Sequence, residues 1–120
     1  MEKLMHSVKE CKIIHKDIGL IVLQGRIDQK TDDEINDAFD KILDLNGKDL
    51  IIDFTEVTYI NSTGIATVMG IVKEVYSNNH KNYIVKLNSD SKMMFEAIGL
   101  DRWVVYCDDL ESVYKGSDNE

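Results

Sequence analysis

Proline is absent from this 120-residue sequence, and tryptophan occurs once. No proline therefore marks any boundary along the chain. Cysteine is nearly absent too: Cys11 and Cys107 lie far apart, in no metal-binding or redox spacing. Two buried, reduced thiols are expected, with a disulfide as the open alternative. His6, His15 and His80 are scattered, so neither a zinc site nor a catalytic histidine is expected. Basic residues are outnumbered, 14 against 22 acids, for a net charge of −8. That balance argues against nucleic acid and anionic membrane as partners, because both require a basic footprint. It suits a partner with a basic face, or serves only solubility. No apolar run approaches the roughly 20 residues of a membrane span. The first residues, Met1-Glu2-Lys3-Leu4-Met5-His6, lack the continuous apolar core of a secretory signal, so the expected location is cytoplasmic.

The signatures of common enzyme classes are missing as well. No Walker-type loop or dinucleotide fingerprint is present. The Gly-x-Ser-x-Gly pattern of a nucleophile elbow is absent, and Ser62 has no histidine near it in sequence. A phospho-receiver domain would need an aspartate at a strand's end and a lysine after the last strand. Asp53 lies inside its expected strand, and no lysine directly follows Val104-Val105-Tyr106. An enzyme is not expected, nor a cofactor.

What is present is an ordinary globular composition, 43% apolar. One domain is expected over 1–116, with 117–120 as a disordered tail. Strands are expected at 8–15 and 20–23, joined by a hairpin turn at Asp17-Ile18-Gly19. Thr31-Asp32-Asp33-Glu34 reads as a capping box opening a helix with Ile35, Ala38, Phe39, Ile42 and Leu43 on one face. Asn46-Gly47 supplies its stop. Leu50-Ile51-Ile52-Asp53-Phe54 reads as a buried central strand, followed by a loop over 55–59. A helix then carries Ile65, Val68, Met69, Val72, Val75 and Tyr76 on one face. A strand over 82–87 follows. After it comes a short helix, capped by Ser89 or Ser91 and carrying Met93, Met94, Phe95 and Ile98. A strand over 103–106 and a last helix after Asp108-Asp109 complete the chain. The order β-β-α-β-α-β-α-β-α predicts an α/β fold, a mixed, mostly parallel sheet of about five strands with about four helices.

The most informative stretch is Ile60-Asn61-Ser62-Thr63-Gly64-Ile65, where a strand-rich run gives way to a helix. Two adjacent hydroxyls stand where a helix offers free N–H donors and the positive end of its dipole. A phosphate on Ser62 or Thr63 would meet a favourable local field and sharply change the surface charge. The plain alternative is that Ser62 only caps the helix. Gly64, in the first turn, is read as permitting close approach of another chain. Ala66 is read as a surface contact. Asp28 is placed at the same sheet edge as Ser62, since the loops after parallel strands share one end of a sheet. Its plain alternative is a solvated loop acid.

Asp53-Phe54-Thr55-Glu56-Val57-Thr58-Tyr59-Ile60-Asn61-Ser62-Thr63-Gly64 resembles the signature of the STAS domain, in particular of bacterial anti-sigma factor antagonists. Gly25-Arg26-Ile27-Asp28 is similar to a second family motif, and Phe95-Glu96-Ala97-Ile98-Gly99-Leu100 to a third. The resemblance implies a STAS fold and a partner-switching cycle. In such a cycle the unphosphorylated protein binds an anti-sigma serine kinase, a histidine-kinase-like ATPase, and so releases a sigma factor. The kinase uses magnesium and ATP to phosphorylate a serine, which ends binding, and a metal-dependent serine phosphatase resets the protein. The acceptor maps to Ser62, and Asp28, Asn61, Ser62, Thr63, Gly64 and Ala66 map to the partner-binding region. Two positions depart from the pattern: Asn61 stands where the family has aspartate, and Arg26 where it commonly has an acid. Two other roles stay open at this point, a STAS scaffold that is not phosphorylated and a sensor of small ligands such as nucleotides or lipids.

Overall fold

The alternation of strand and helix folds as a five-stranded sheet in sequence order, β1-β2-β3-β4-β5. The computed structural model describes residues 6–118. The strands are β1 (Val8–Ile14), β2 (Ile18–Ile27), β3 (Leu50–Ile60), β4 (Asn82–Val85) and β5 (Val105–Cys107). The helices are α1 (Asp32–Asp44), α2 (Ser62–Ser77), α3 (Ser89–Ala97) and α4 (Leu110–Asp118). β1 and β2 pair antiparallel, and every later pair is parallel. Successive strand residues alternate between the two faces. Ile21, Leu23, Leu50, Ile52, Phe54 and Ile84 therefore share one core with residues of α1, α2 and α3. Leu20, Val22, Ile51, Tyr83 and Val85 form a second core with Val113 of α4. The central strands are apolar almost throughout because both faces are covered.

Several local devices differ from those expected. The hairpin turn falls at 15–17, where His15 and Lys16 take positive φ angles of 44° and 74°. Gly19 lies inside β2, and a Cβ there would meet Ile42 Cγ2 at 2.5 Å, so the glycine lets α1 lie close on the sheet. α1 begins where expected, but not with the expected box. Thr31 makes no side-chain cap. The box sits one turn earlier, where Asp28 and Thr31 cap the 3₁₀ turn Gln29–Thr31 reciprocally. Glu34 instead clamps the start of β1, accepting from the Ser7 N–H at 3.1 Å, the Ser7 hydroxyl at 2.9 Å and the Val8 N–H at 2.9 Å. Asn46, at φ 65°, is the left-handed residue that ends α1.

α3 is capped by Asn88, whose Oδ1 accepts from the Ser91 N–H at 2.8 Å, rather than by a serine. Of its expected apolar residues only Phe95 is buried. Met93, Met94 and Ile98 are exposed, as is Leu43 of α1. Cys11 and Cys107 are both free thiols and half-buried rather than buried. Burial pushes the pKa of each up, which favours the protonated thiol. α4 runs to Asp118, past the start of the expected tail, and 119–120 lie outside the described residues.

Candidate functional site

The approach to Ser62 is a strand, not the expected loop over 55–59. β3 runs for 11 residues and stays paired to β2 as far as Ile27 and Ile60, while β4 ends at Val85 beside Asp53. β3 gains extra residues at two irregularities, between Val22 and Gln24 of its partner and between Gly25 and Arg26. Asp53 supports the first, since its Oδ1 accepts from the Thr55 N–H at 2.9 Å and from the Thr55 hydroxyl. Gly25, at φ 71°, supplies the left-handed backbone at the second. Thr55-Glu56-Val57-Thr58-Tyr59 is rich in β-branched and aromatic residues, and that was the available signal for a strand.

At the end of this ribbon Asn61 is the N-cap of α2. Its backbone is extended, and its Oδ1 accepts from the Gly64 N–H at 2.9 Å. Ser62 is thus the first residue inside the helix, and its hydroxyl is not the cap. Ser62, Thr63 and Ala66 are exposed. No acidic side chain stands in the first turn of α2 to oppose an added phosphate. Gly64 is buried, and a Cβ there would meet the carbonyl oxygen of Ile27 at 2.7 Å. Its role is therefore close approach of α2 to its own β2, not to another chain.

Asp28 does share this edge. The Asn61 N–H donates to the Ile27 carbonyl at 3.2 Å, which brings the residues before Asp28 and Ser62 together. Asn61 Nδ2 stands 3.5 Å from Gln29 Oε1 on the adjoining 3₁₀ turn. Asp28 itself is largely enclosed, accepts from the Lys30 N–H at 2.9 Å, and lies 3.9 Å from Arg26 Nε. Arg26 in turn sits 4.4 Å from the centroid of the exposed Tyr59 ring. Asp28 is thus first a local cap. Thr67 Oγ1 donates to Asp32 Oδ1 at 2.6 Å and ties the second turn of α2 to the first residue of α1, a contact that no sequence motif announced.

A family model, the STAS domain, matches residues 12–114. The chain belongs to the STAS domain family. Solved structures agree at the level of the fold. SpoIIAA from Bacillus, a cell-fate determinant in its phosphorylated form, is 17% identical over 88% of this chain and 96% of its own, with a TM-score of 0.72. The anti-sigma factor antagonist SpoIIAA in its unphosphorylated form is 15% identical over 92% and 96%, with a TM-score of 0.73. RsbS from Moorella thermoacetica is 14% identical over 92% and 94%, with a TM-score of 0.76.

Within this STAS domain the third motif is a piece of core. Phe95 and Leu100 are fully buried, and Gly99 takes φ 82° between α3 and the 3₁₀ turn Leu100–Trp103. The Phe95 ring meets the Phe54 ring edge-on, with centroids 6.1 Å apart.

Proposed function

We propose that this STAS domain is an anti-sigma factor antagonist that binds an anti-sigma serine kinase when unphosphorylated. Phosphorylation of Ser62 switches that binding off, and a metal-dependent serine phosphatase restores it, all within the cytoplasm. The role is binding, not catalysis; magnesium and ATP belong to the kinase. The observation that carries this reading is the position of Ser62. It is exposed at the first position of α2, and Asn61 already does the capping. Its hydroxyl is therefore available for modification without loss of the helix start. The occurrence of SpoIIAA in a phosphorylated and an unphosphorylated form supports the same reading.

The physics of the switch is local. A phosphate adds about −1.5 to −2 charges at neutral pH. The first-turn N–H groups and the helix dipole stabilise that charge in the free protein. A partner packed against the neutral hydroxyl, across Asn61, Thr63 and Ala66, would instead meet a bulky dianion. Asn61 takes the capping role of the aspartate in the family pattern without its charge. A second reading draws on that missing charge, a constitutive scaffold in which Ser62 stays unmodified.

The test is direct. Incubation with the cognate kinase and ATP is expected to add one phosphate, at Ser62 by peptide mapping. Ser62→Ala should bind the kinase as the parent does, and Ser62→Glu about 5–150-fold more weakly, the range of typical couplings. Phosphate at another residue, or equal affinity of the two variants, would overturn the switch. Unmodified protein recovered from a kinase that binds it would favour the scaffold.

A further inference from the structure

A cavity of about 270 Å³ lies at the end of α2 remote from Ser62. The helix has 16 residues, so the two places are roughly 24 Å apart along its axis. Three aromatic residues, Tyr76, Tyr83 and Trp103, and two cationic ones, Lys81 and Arg102, contribute to the lining, with His80 beside them. Among the described residues no aspartate or glutamate lines it, although acids outnumber bases 22 to 14 in the chain.

The positive charge is gathered on one ring. Arg102 Cζ stands 5.3 Å and Lys73 Nζ 5.4 Å from the centroid of the Trp103 ring. The Tyr76 ring is 6.5 Å away, tilted by 47°. Tyr76 and Val105 are about half exposed, so apolar surface is open here. The walls are also held in place. The buried Asn82 donates through Nδ2 to the Val72 carbonyl of α2 at 2.9 Å and to the Trp103 carbonyl at 3.1 Å. Arg102 Nε donates to the Gly99 carbonyl at 3.1 Å, which fixes the guanidinium by one of its five donors. A site set in advance loses less entropy on binding.

We propose that this cavity binds a small aryl carboxylate, its ring against Trp103 and Tyr76 and its carboxylate on Arg102. Aromatic walls favour a ring over an alkyl chain, because ring pairs gain beyond the area they bury. The guanidinium fits a carboxylate through paired N–H donors. A cavity of about 150 Å³ holds benzene, so this one has room for a ring and a short acid chain.

The full chain carries its own reporter, because Trp103 is the sole tryptophan. Titration with 4-phenylbutyrate is expected to change Trp103 emission saturably. The neutral 4-phenylbutan-1-ol should bind at least fivefold more weakly. Arg102→Gln should weaken the acid at least fivefold and leave the alcohol unchanged. Lys73→Gln, at a second exposed position, should weaken the acid in the same direction. A change that never saturates, equal binding of acid and alcohol, or an acid affinity indifferent to Arg102→Gln would overturn the proposal. None of these outcomes depends on Ser62.

Discussion

At the scale of single residues, the two glycines of α2 make opposite demands. Gly64 has the Ile27 carbonyl oxygen 2.7 Å from where a Cβ would sit, whereas Gly70 has nothing within 4 Å. Gly64→Ala should therefore destabilise the protein by about 1–3 kcal/mol, as overpacking does. Gly70→Ala should stabilise it by about 0.5–1 kcal/mol, because alanine loses less backbone freedom on folding. Urea unfolding of the two variants checks both signs, and the same sign for both would contradict the packing described here. The place of Ser62 at a strand–helix junction was legible from its neighbours in sequence. The identity of the cap was not, because serine, asparagine and threonine all cap well. Only the extended backbone of Asn61 and its bond to the Gly64 N–H decide it.

At the scale of elements, β1 depends on an acid from α1. Burial pushes the Glu34 carboxyl up, but the N–H groups of Val8 and Ser7, the Ser7 hydroxyl and His6 outweigh that and leave its pKa below the ordinary 4.5. A depressed carboxylate stabilises the fold above its unfolded pKa, and that contribution is lost as pH falls through the lower folded value. The protection factors of the Ser7 and Val8 amides, with the intrinsic pH dependence of exchange removed, should accordingly fall as pH drops below 4.5, ahead of those of β3. Uniform loss of protection would show that the clamp carries no separate stability. The sequence could not show this clamp. Thr31 and Glu34 have capping-box spacing, but Asp28 competes for Thr31 and Ser7 for Glu34, and the second competitor is 27 residues away. The helices themselves were legible from their apolar period. α3 was not fully so, because Met93, Met94 and Ile98 extend the pattern without being buried.

At the scale of the whole molecule, the sheet is covered unequally. α1, α2 and α3 share one face, while α4 meets the other, with Val113 fully buried in the smaller core. Val113→Asp would place an unpaired charge against Ile18, Leu20 and Tyr83. It should cost on the order of 3 kcal/mol or more, seen as a lower urea midpoint. A midpoint within error of the parent would mean that α4 does not close this core. The mostly parallel sheet was legible from the alternation of strands and helices, since such alternation needs crossover connections. The length of β3 was not, because polar residues at 55, 56 and 58 obscure its continuation.

That length has a consequence for any partner that must reach Ser62. Ile60 lies seven residues along β3 from Asp53, which is level with the end of β4. At about 3.3 Å per residue Ser62 is carried some 20 Å beyond the neighbouring strand end. A serine flush with the rim would have to be extracted before a catalytic cleft could close around it. Under the proposed switch, Ser62, held out at the end of a paired ribbon, would meet a kinase and a phosphatase in turn without unfolding of any part of the domain.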